Sequence, residues 1–180
     1  MIKKAFIAMS FAAVLYACGN GEGSKEISAE ERQSNIELME QSLFNSNDKM
    51  FNDSIAAAVI AAYDEYASLY PQDPETPDFL FKAGEVSLGL GKPLKSMAYF
   101  KKVYDMYPAF ERAPYCLFLQ AYVLDNHLND DVRAGEIYAD FMKKYPDHPM
   151  AKDAEFSILH LGKSDEELIK EFEEKLKENS

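Results

Sequence analysis

Tyr70-Pro71, Tyr107-Pro108 and Tyr145-Pro146 recur at intervals of 37 and 38 residues. A near-constant period in this range constrains the fold more than any other feature, because it marks one supersecondary unit stacked on copies of itself. The residues leading into each pair repeat as well. Val59, Tyr63, Tyr66 and Tyr70 are matched by Ser96, Phe100, Val103 and Tyr107, and again by Ala134, Tyr138, Phe141 and Tyr145. Steps of four, three and four trace one face of a helix. Proline ends that helix, since the residue before it is pushed out of the helical region.

The residues after the pairs match too. Pro77, Leu80-Phe81 and Gly84 parallel Pro114, Leu117-Phe118 and Ala121. Proline suits a first helical turn, Leu-Phe marks a buried face, and the small residue lets a neighbouring helix come close. Each unit therefore reads helix, turn, helix, Tyr-Pro. Residues 77–108 resemble the tetratricopeptide repeat without a gap, through the small Gly84, the turn Gly91, the aromatic Phe100 and the closing Pro108. Ser96 stands where that repeat usually has alanine, and Leu80 where it usually has tryptophan. Residues 114–146 resemble it with one extra residue in the turn, through Ala121, Ala134, Tyr138 and Pro146.

The ends read as caps. Ser28-x-x-Glu31 is a capping box opening a helix with Ile36, Met39 and Leu43 on one face. After Pro149 a helix runs to about Leu161, and Gly162 ends it. Ser164-x-x-Glu167 opens a last helix to about Lys177, apolar at Leu168, Ile169, Phe172 and Leu176 and charged opposite, as the polar end of a solenoid requires. The expected fold is all-α: a tetratricopeptide-like α-solenoid of about eight antiparallel helices. Its units span residues 29–71, 77–108 and 114–146, with capping helices over 149–177.

The first 28 residues read differently. Lys3 and Lys4 precede an apolar run over 5–17, thirteen residues long and interrupted only by Ser10. That is too short to span a bilayer, which needs about 20 residues, and it has the size and flanks of an export signal. Leu15-Tyr16-Ala17-Cys18 resembles the bacterial lipoprotein signal. The resemblance implies cleavage after residue 17 and acylation of Cys18. Buried acyl methylenes contribute about 0.8 kcal/mol each, so several chains hold a protein on a membrane. Residues 18–28 then form the lipidated cysteine and a Gly-rich tether. Asn20 leaves out the aspartate that marks inner-membrane retention in enteric bacteria, and Glu22 alone is a weak form of the acidic run that sends some lipoproteins to the cell surface.

Charge narrows the partners. The whole chain carries −12, and removing the two leader lysines makes it −14. Nucleic-acid binders carry basic patches, so nucleic acid is not expected. Lipidation would leave Cys116 as the one free thiol, set among Tyr115, Leu117 and Phe118, where a small buried hydrophobe fits best.

No reactive constellation is legible. Residues 84–92, GEVSLGLGK, lack the spacing of a phosphate loop, since Val86 and Pro93 stand where Gly and Ser or Thr are needed. His127, His148 and His160 are scattered without a metal-ligand pattern. No enzyme activity, cofactor or metal is expected.

What remains is a binding surface. The tetratricopeptide resemblance implies that first helices line a groove, through Asp78, Phe81, Glu85 and Leu88 in one unit and Tyr115, Phe118, Tyr122 and Asp125 in the next. The candidate groove residues are thus Phe81, Glu85, Tyr115, Phe118, Tyr122 and Asp125, and they suit a partner segment that is apolar and neutral or basic. The competing reading makes Phe81, Phe118 and Tyr122 inter-helix core. The Lys, Asn and Arg set that clamps a C-terminal carboxylate in some such proteins is missing. The arrangement is similar to small repeat-bearing outer-membrane lipoproteins, including the β-barrel assembly lipoprotein family. The expected protein is a lipid-anchored adaptor that holds a cell-envelope protein at the periplasmic side of a bacterial outer membrane, with the cell surface as the alternative location. The other readings are an accessory component of β-barrel assembly and a peptide- or glycan-capturing lipoprotein of an uptake system.

Cys18→Ala is expected to abolish palmitate incorporation and to release the chain from membranes or leave it unprocessed. Radiolabelled palmitate with membrane fractionation checks this, and a wild-type chain that takes up no label removes the lipoprotein reading.

Overall fold

The computed structural model describes residues 27–44 and 52–178. The leader, Cys18, the tether up to residue 26 and the Phe172 side chain lie outside the described residues. Eight helices and no strand occur among those described. They are α1 (Ala29–Phe44), α2 (Asp53–Leu69), α3 (Thr76–Gly89), α4 (Pro93–Met106), α5 (Ala113–Leu128), α6 (Asp131–Lys144), α7 (Ala151–His160) and α8 (Asp165–Glu178). From α1 to α7 each helix packs on the next in chain order. This is the tetratricopeptide-like all-α solenoid that the repeats imply.

The Tyr-Pro junctions set the repeat. Tyr70, Tyr107 and Tyr145 close α2, α4 and α6 with nearly one backbone conformation, φ −127°, −128° and −132° with ψ 58°, 59° and 57°. The same two turns follow each. The amides of Asp73, Phe110 and His148 donate to the carbonyls of Tyr70, Tyr107 and Tyr145. Those of Thr76, Ala113 and Ala151 then donate to the carbonyls of Asp73, Phe110 and His148. Proline fixes the turn because it has a locked φ and no amide to continue a helix. Tyr107 also donates its hydroxyl to the Pro71 carbonyl at 3.1 Å, tying one junction to the previous one.

The turns inside the units use left-handed residues. Gly91 (φ 64°) reverses the chain between α3 and α4. Asn129 (φ 50°) does so between α5 and α6, with the Asp130 amide bonded to the Leu124 carbonyl. Asparagine tolerates this region better than most residues, so the extra residue in that turn is accommodated. Both capping boxes form in part or whole. The Glu31 amide donates to Ser28 Oγ at 3.2 Å, while Ser164 and Glu167 exchange bonds at 2.8 and 3.3 Å. Asn52, which caps α2 through the amides of Ser54 and Ile55, adds a start signal of the same kind.

Rings and small residues interlock between helices. A Cβ on Gly84 would lie 2.6 Å from Phe100 Cε1, so glycine is needed for α3 to rest on the Phe100 ring. Ser96, fully buried on α4, has a hydroxyl with no hydrogen-bond partner among the described residues, and the residue in its place one unit later is the equally buried Ala134. Gly84→Ala is expected to cost about 1–3 kcal/mol by overpacking, and much less in a Phe100→Leu background. Ser96→Ala is expected to raise stability by about 1 kcal/mol, since an unbonded buried hydroxyl is removed. Urea melts of the full chain check both, and equal effects of opposite sign to these would break the helix register.

Candidate functional site

The first helices α1, α3, α5 and α7 share a face, and the junction hydrogen bonds place its residues in register. Counting from Thr76, Ala113 and Ala151 aligns Asp78, Tyr115 and Asp153; Phe81, Phe118 and Phe156; and Glu85, Tyr122 and His160. Two clefts open on this face. One, of about 360 Å³, lies between α1 and α3 and is lined by Glu40, Phe44, Lys82, Glu85, Val86 and Gly89. The other, about 600 Å³, lies where α5 meets α7 and α8, with Tyr115, Tyr122, Asp125, Phe156 and Leu168 among its walls.

The structure divides the sequence-predicted residues. Phe81 is withdrawn from the surface, at 2% exposure. Its ring packs on Phe100 and Tyr115 at 5.7 and 6.2 Å, and the Arg112 guanidinium covers it at 4.1 Å from the centroid. Phe118 is 5% exposed and stacks on Tyr115 at 5.9 Å, so its edge forms cleft floor. Tyr122 is 36% exposed, Tyr115 is half-buried, Glu85 is exposed and Asp125 is intermediate. The surface of the face is therefore Tyr115, Tyr122, Glu85 and Asp125, carried on a buried phenylalanine layer.

Phe156, Asp153 and Leu168 were not expected on this face. A signal for Phe156 exists: it stands eleven residues after Tyr145, as Phe118 stands after Tyr107 and Phe81 after Tyr70. Arg112 was missed because it sits just before α5, where no helical period applies.

Charge on the face is unevenly neutralised. Asp78 is held by Lys82 at 3.1 Å and by Arg112. Glu40 accepts from Lys82 at 3.0 Å and from the Tyr63 hydroxyl at 2.6 Å. Glu85 and Asp125 have no ion-pair partner within reach among the described residues. Desolvation pushes the Glu85 carboxyl above its ordinary range, with Lys82 pulling the other way. Desolvation also pushes Asp125 up, Asp131 adds to the shift, and a long 3.5 Å contact from the Tyr138 hydroxyl opposes it.

Cys116, the free cysteine among the described residues, is buried. Burial pushes the Cys116 thiol up to about 12, with the Arg112 charge opposing, so thiolate is scarce at neutral pH. Among the described residues, no group of three or more His, Cys, Asp and Glu could hold a metal ion. No described helix is long and apolar enough to cross a membrane.

Comparison with known proteins agrees with the geometry. A tetratricopeptide-repeat family model matches residues 115–148, the stretch from α5 through the third Tyr-Pro junction. No curated protein matches the chain. The match covers one repeat, and the described helices share its tetratricopeptide-like solenoid fold. Repeats of this class act as scaffolds for contacts between proteins.

Each of the two carboxyls holds its proton more readily in the folded chain than in the unfolded one. Protonation at low pH therefore favours the folded state, and the charges oppose it at neutral pH. Glu85→Gln and Asp125→Asn are each expected to leave stability at pH 7 unchanged or raised by up to about 0.5 kcal/mol. The gain should fade as the pH falls into the acid range, where the native carboxyls take up protons before the unfolded ones do. Thermal melts across pH check this, and a loss at neutral pH would make both carboxylates part of the fold's support.

Proposed function

We propose that this protein is a lipid-anchored adaptor that holds a partner protein at the periplasmic side of a bacterial outer membrane. The observation that carries the binding half is the first-helix face, where half-open tyrosines stand on a buried phenylalanine layer beside a 600 Å³ cleft. Rigid aromatic side chains that are partly exposed and backed by core make good interface anchors, because they lose little conformational freedom on binding. The Leu15-Tyr16-Ala17-Cys18 leader supports the anchoring half. A Gly-rich tether over residues 18–28 would keep the solenoid close to the bilayer while leaving it free to turn. The work is then positional: the repeat domain raises the local concentration of its partner at the membrane.

Tyr122→Ala separates a binding surface from a packing residue. Truncating an interface anchor costs 2 kcal/mol or more in affinity, so recovery of the partner on affinity capture from membranes should fall by at least about tenfold. The melting temperature should move little, because the side chain is already partly exposed. Mass spectrometry of proteins captured by the wild type and lost with Tyr122→Ala names the partner. Barrel-assembly subunits or uptake transporters in that set would select between the narrower roles. Unchanged capture with a much lower melting temperature would place Tyr122 in the core and the binding surface elsewhere.

A further inference from the structure

The first-helix face solves one electrostatic problem internally and leaves a second one open. At Asp78 and Phe81 an acid lies beside an aromatic ring, and Arg112 serves both: its guanidinium pairs with Asp78 and lies 4.1 Å from the centre of the Phe81 ring. Cation, carboxylate and π-face satisfy one another there without outside help.

Two turns along α3 and α5, the same elements recur. Glu85 and Tyr122 occupy equivalent places in adjacent units, and Asp125 lies three residues beyond Tyr122 on the same side of α5. Acid and ring are present again, yet no lysine, arginine or histidine pairs with either carboxylate among the described residues. His127 lies with its ring 5.8 Å from that of Tyr122, and the lysines of this region are engaged elsewhere. Lys82 holds Glu40 and Asp78, and Lys163 at the far wall of the large cleft holds Glu171. Tyr122 keeps 36% of its surface open, and the cleft beside it is lined by the apolar Phe156 and Leu168. The face thus offers an open ring and the Asp125 carboxylate, which has no ion-pair partner among the described residues, beside a partly apolar cleft, with Glu85 on the neighbouring cleft.

We propose that the cleft between α5, α7 and α8 takes a peptide segment of a partner protein, apolar along its length, whose arginine or lysine seats against Tyr122 and Asp125, drawn also by the negative charge of Glu85 on the adjacent unit. The partner's cation would stand to Tyr122 and Asp125 as Arg112 stands to Phe81 and Asp78. Its apolar side chains enter the cleft over Tyr115, Phe156 and Leu168. The carboxylates carry a desolvation cost in the unbound chain that a cation relieves. Arginine fits better than lysine, since a planar guanidinium both stacks on a ring and bridges carboxylates. This inference rests on the adaptor reading and names the chemistry that its face selects.

The test is a random-peptide phage library panned on the detergent-purified full chain and on its Glu85→Gln/Asp125→Asn variant. The wild type should select peptides that pair arginine or lysine with aromatic or branched apolar residues. The variant should select apolar peptides without the basic excess. Synthetic copies of the wild-type binders should weaken roughly tenfold on the double variant and weaken with added salt. Asp105→Asn, which removes an acid paired with Lys101 on α4, should leave their binding unchanged and so excludes a response to net charge alone. A basic excess that survives on the double variant, or no basic excess on the wild type, overturns the cation assignment. If Tyr122→Ala still weakens the binders in that case, the adaptor face itself stands. Binders indifferent to Tyr122→Ala, or a library that yields none, overturn both.

Discussion

Burial of aromatic rings between successive helix pairs is the interaction on which the rest of the structure depends. A two-helix unit cannot cover its own apolar face. Tyr63 and Tyr66 of α2 close on Phe79 of α3, with ring centres 5.5 and 4.9 Å apart. Phe81 touches Phe100 within its own unit and Tyr115 in the next. Phe118 then meets Tyr138 and Phe141. Each ring is buried only because a neighbouring element arrives, so stability is passed from unit to unit. Polar groups at the tips of these rings knit the seam. The hydroxyl of Tyr99 donates to Asp64 and that of Tyr63 to Glu40, both at 2.6 Å, so the tyrosines bury their rings without stranding a donor.

This dependence explains how much was legible beforehand. Helix ends were, because their causes are local: proline after Tyr70, Tyr107 and Tyr145, Ser-x-x-Glu at residues 28 and 164, glycine at 91 and 162. The register of the units was legible too, since the rings repeat at helical spacing. Depth was not. Phe81 and Tyr122 both fall on the first-helix face, yet one is 2% and the other 36% exposed. The difference comes from Arg112 and Tyr115, which arrive over Phe81 from the next unit, and nothing in the local sequence of α3 announces them. Phe156 was missed although its spacing from Tyr145 repeats that of Phe81 and Phe118 from their tyrosines. The shorter α7 and the change of residues around it obscured the third copy.

The same geometry decides which charges are spent on the fold. Arg112 and Lys82 lie between adjacent first helices and neutralise Asp78 and Glu40 across the seam. Partly exposed pairs of this kind contribute little each. Their larger effect is positional: Arg112 covers Phe81 and fixes where α5 begins relative to α3. Glu85 and Asp125 sit further along the helices, where that seam supplies no cation. A chain at −12 with 31 acids and 19 basic residues must leave some carboxylates unmatched. Most are on open surface, where water compensates them. Asp125 is partly buried and Glu85 exposed, and nearby protein raises the proton affinity of both.

The end of the stack and the larger cleft coincide for a physical reason. Up to α6, a following unit always covers the ring that the previous one presents. Among the described residues the row reaches α7, where Phe156, its third member, packs on the His160 ring at 4.1 Å and is 46% exposed. The chain closes this end with α8, which contributes Leu168 to the cleft wall and Glu171 to the Lys163 ion pair. A capping helix that is charged on its outer side can keep a solenoid from polymerising without filling the last groove. The walls of this cleft therefore continue the aromatic row that elsewhere builds the core. The binding surface proposed for this cleft would need few residues of its own, because its walls continue a row that elsewhere is core.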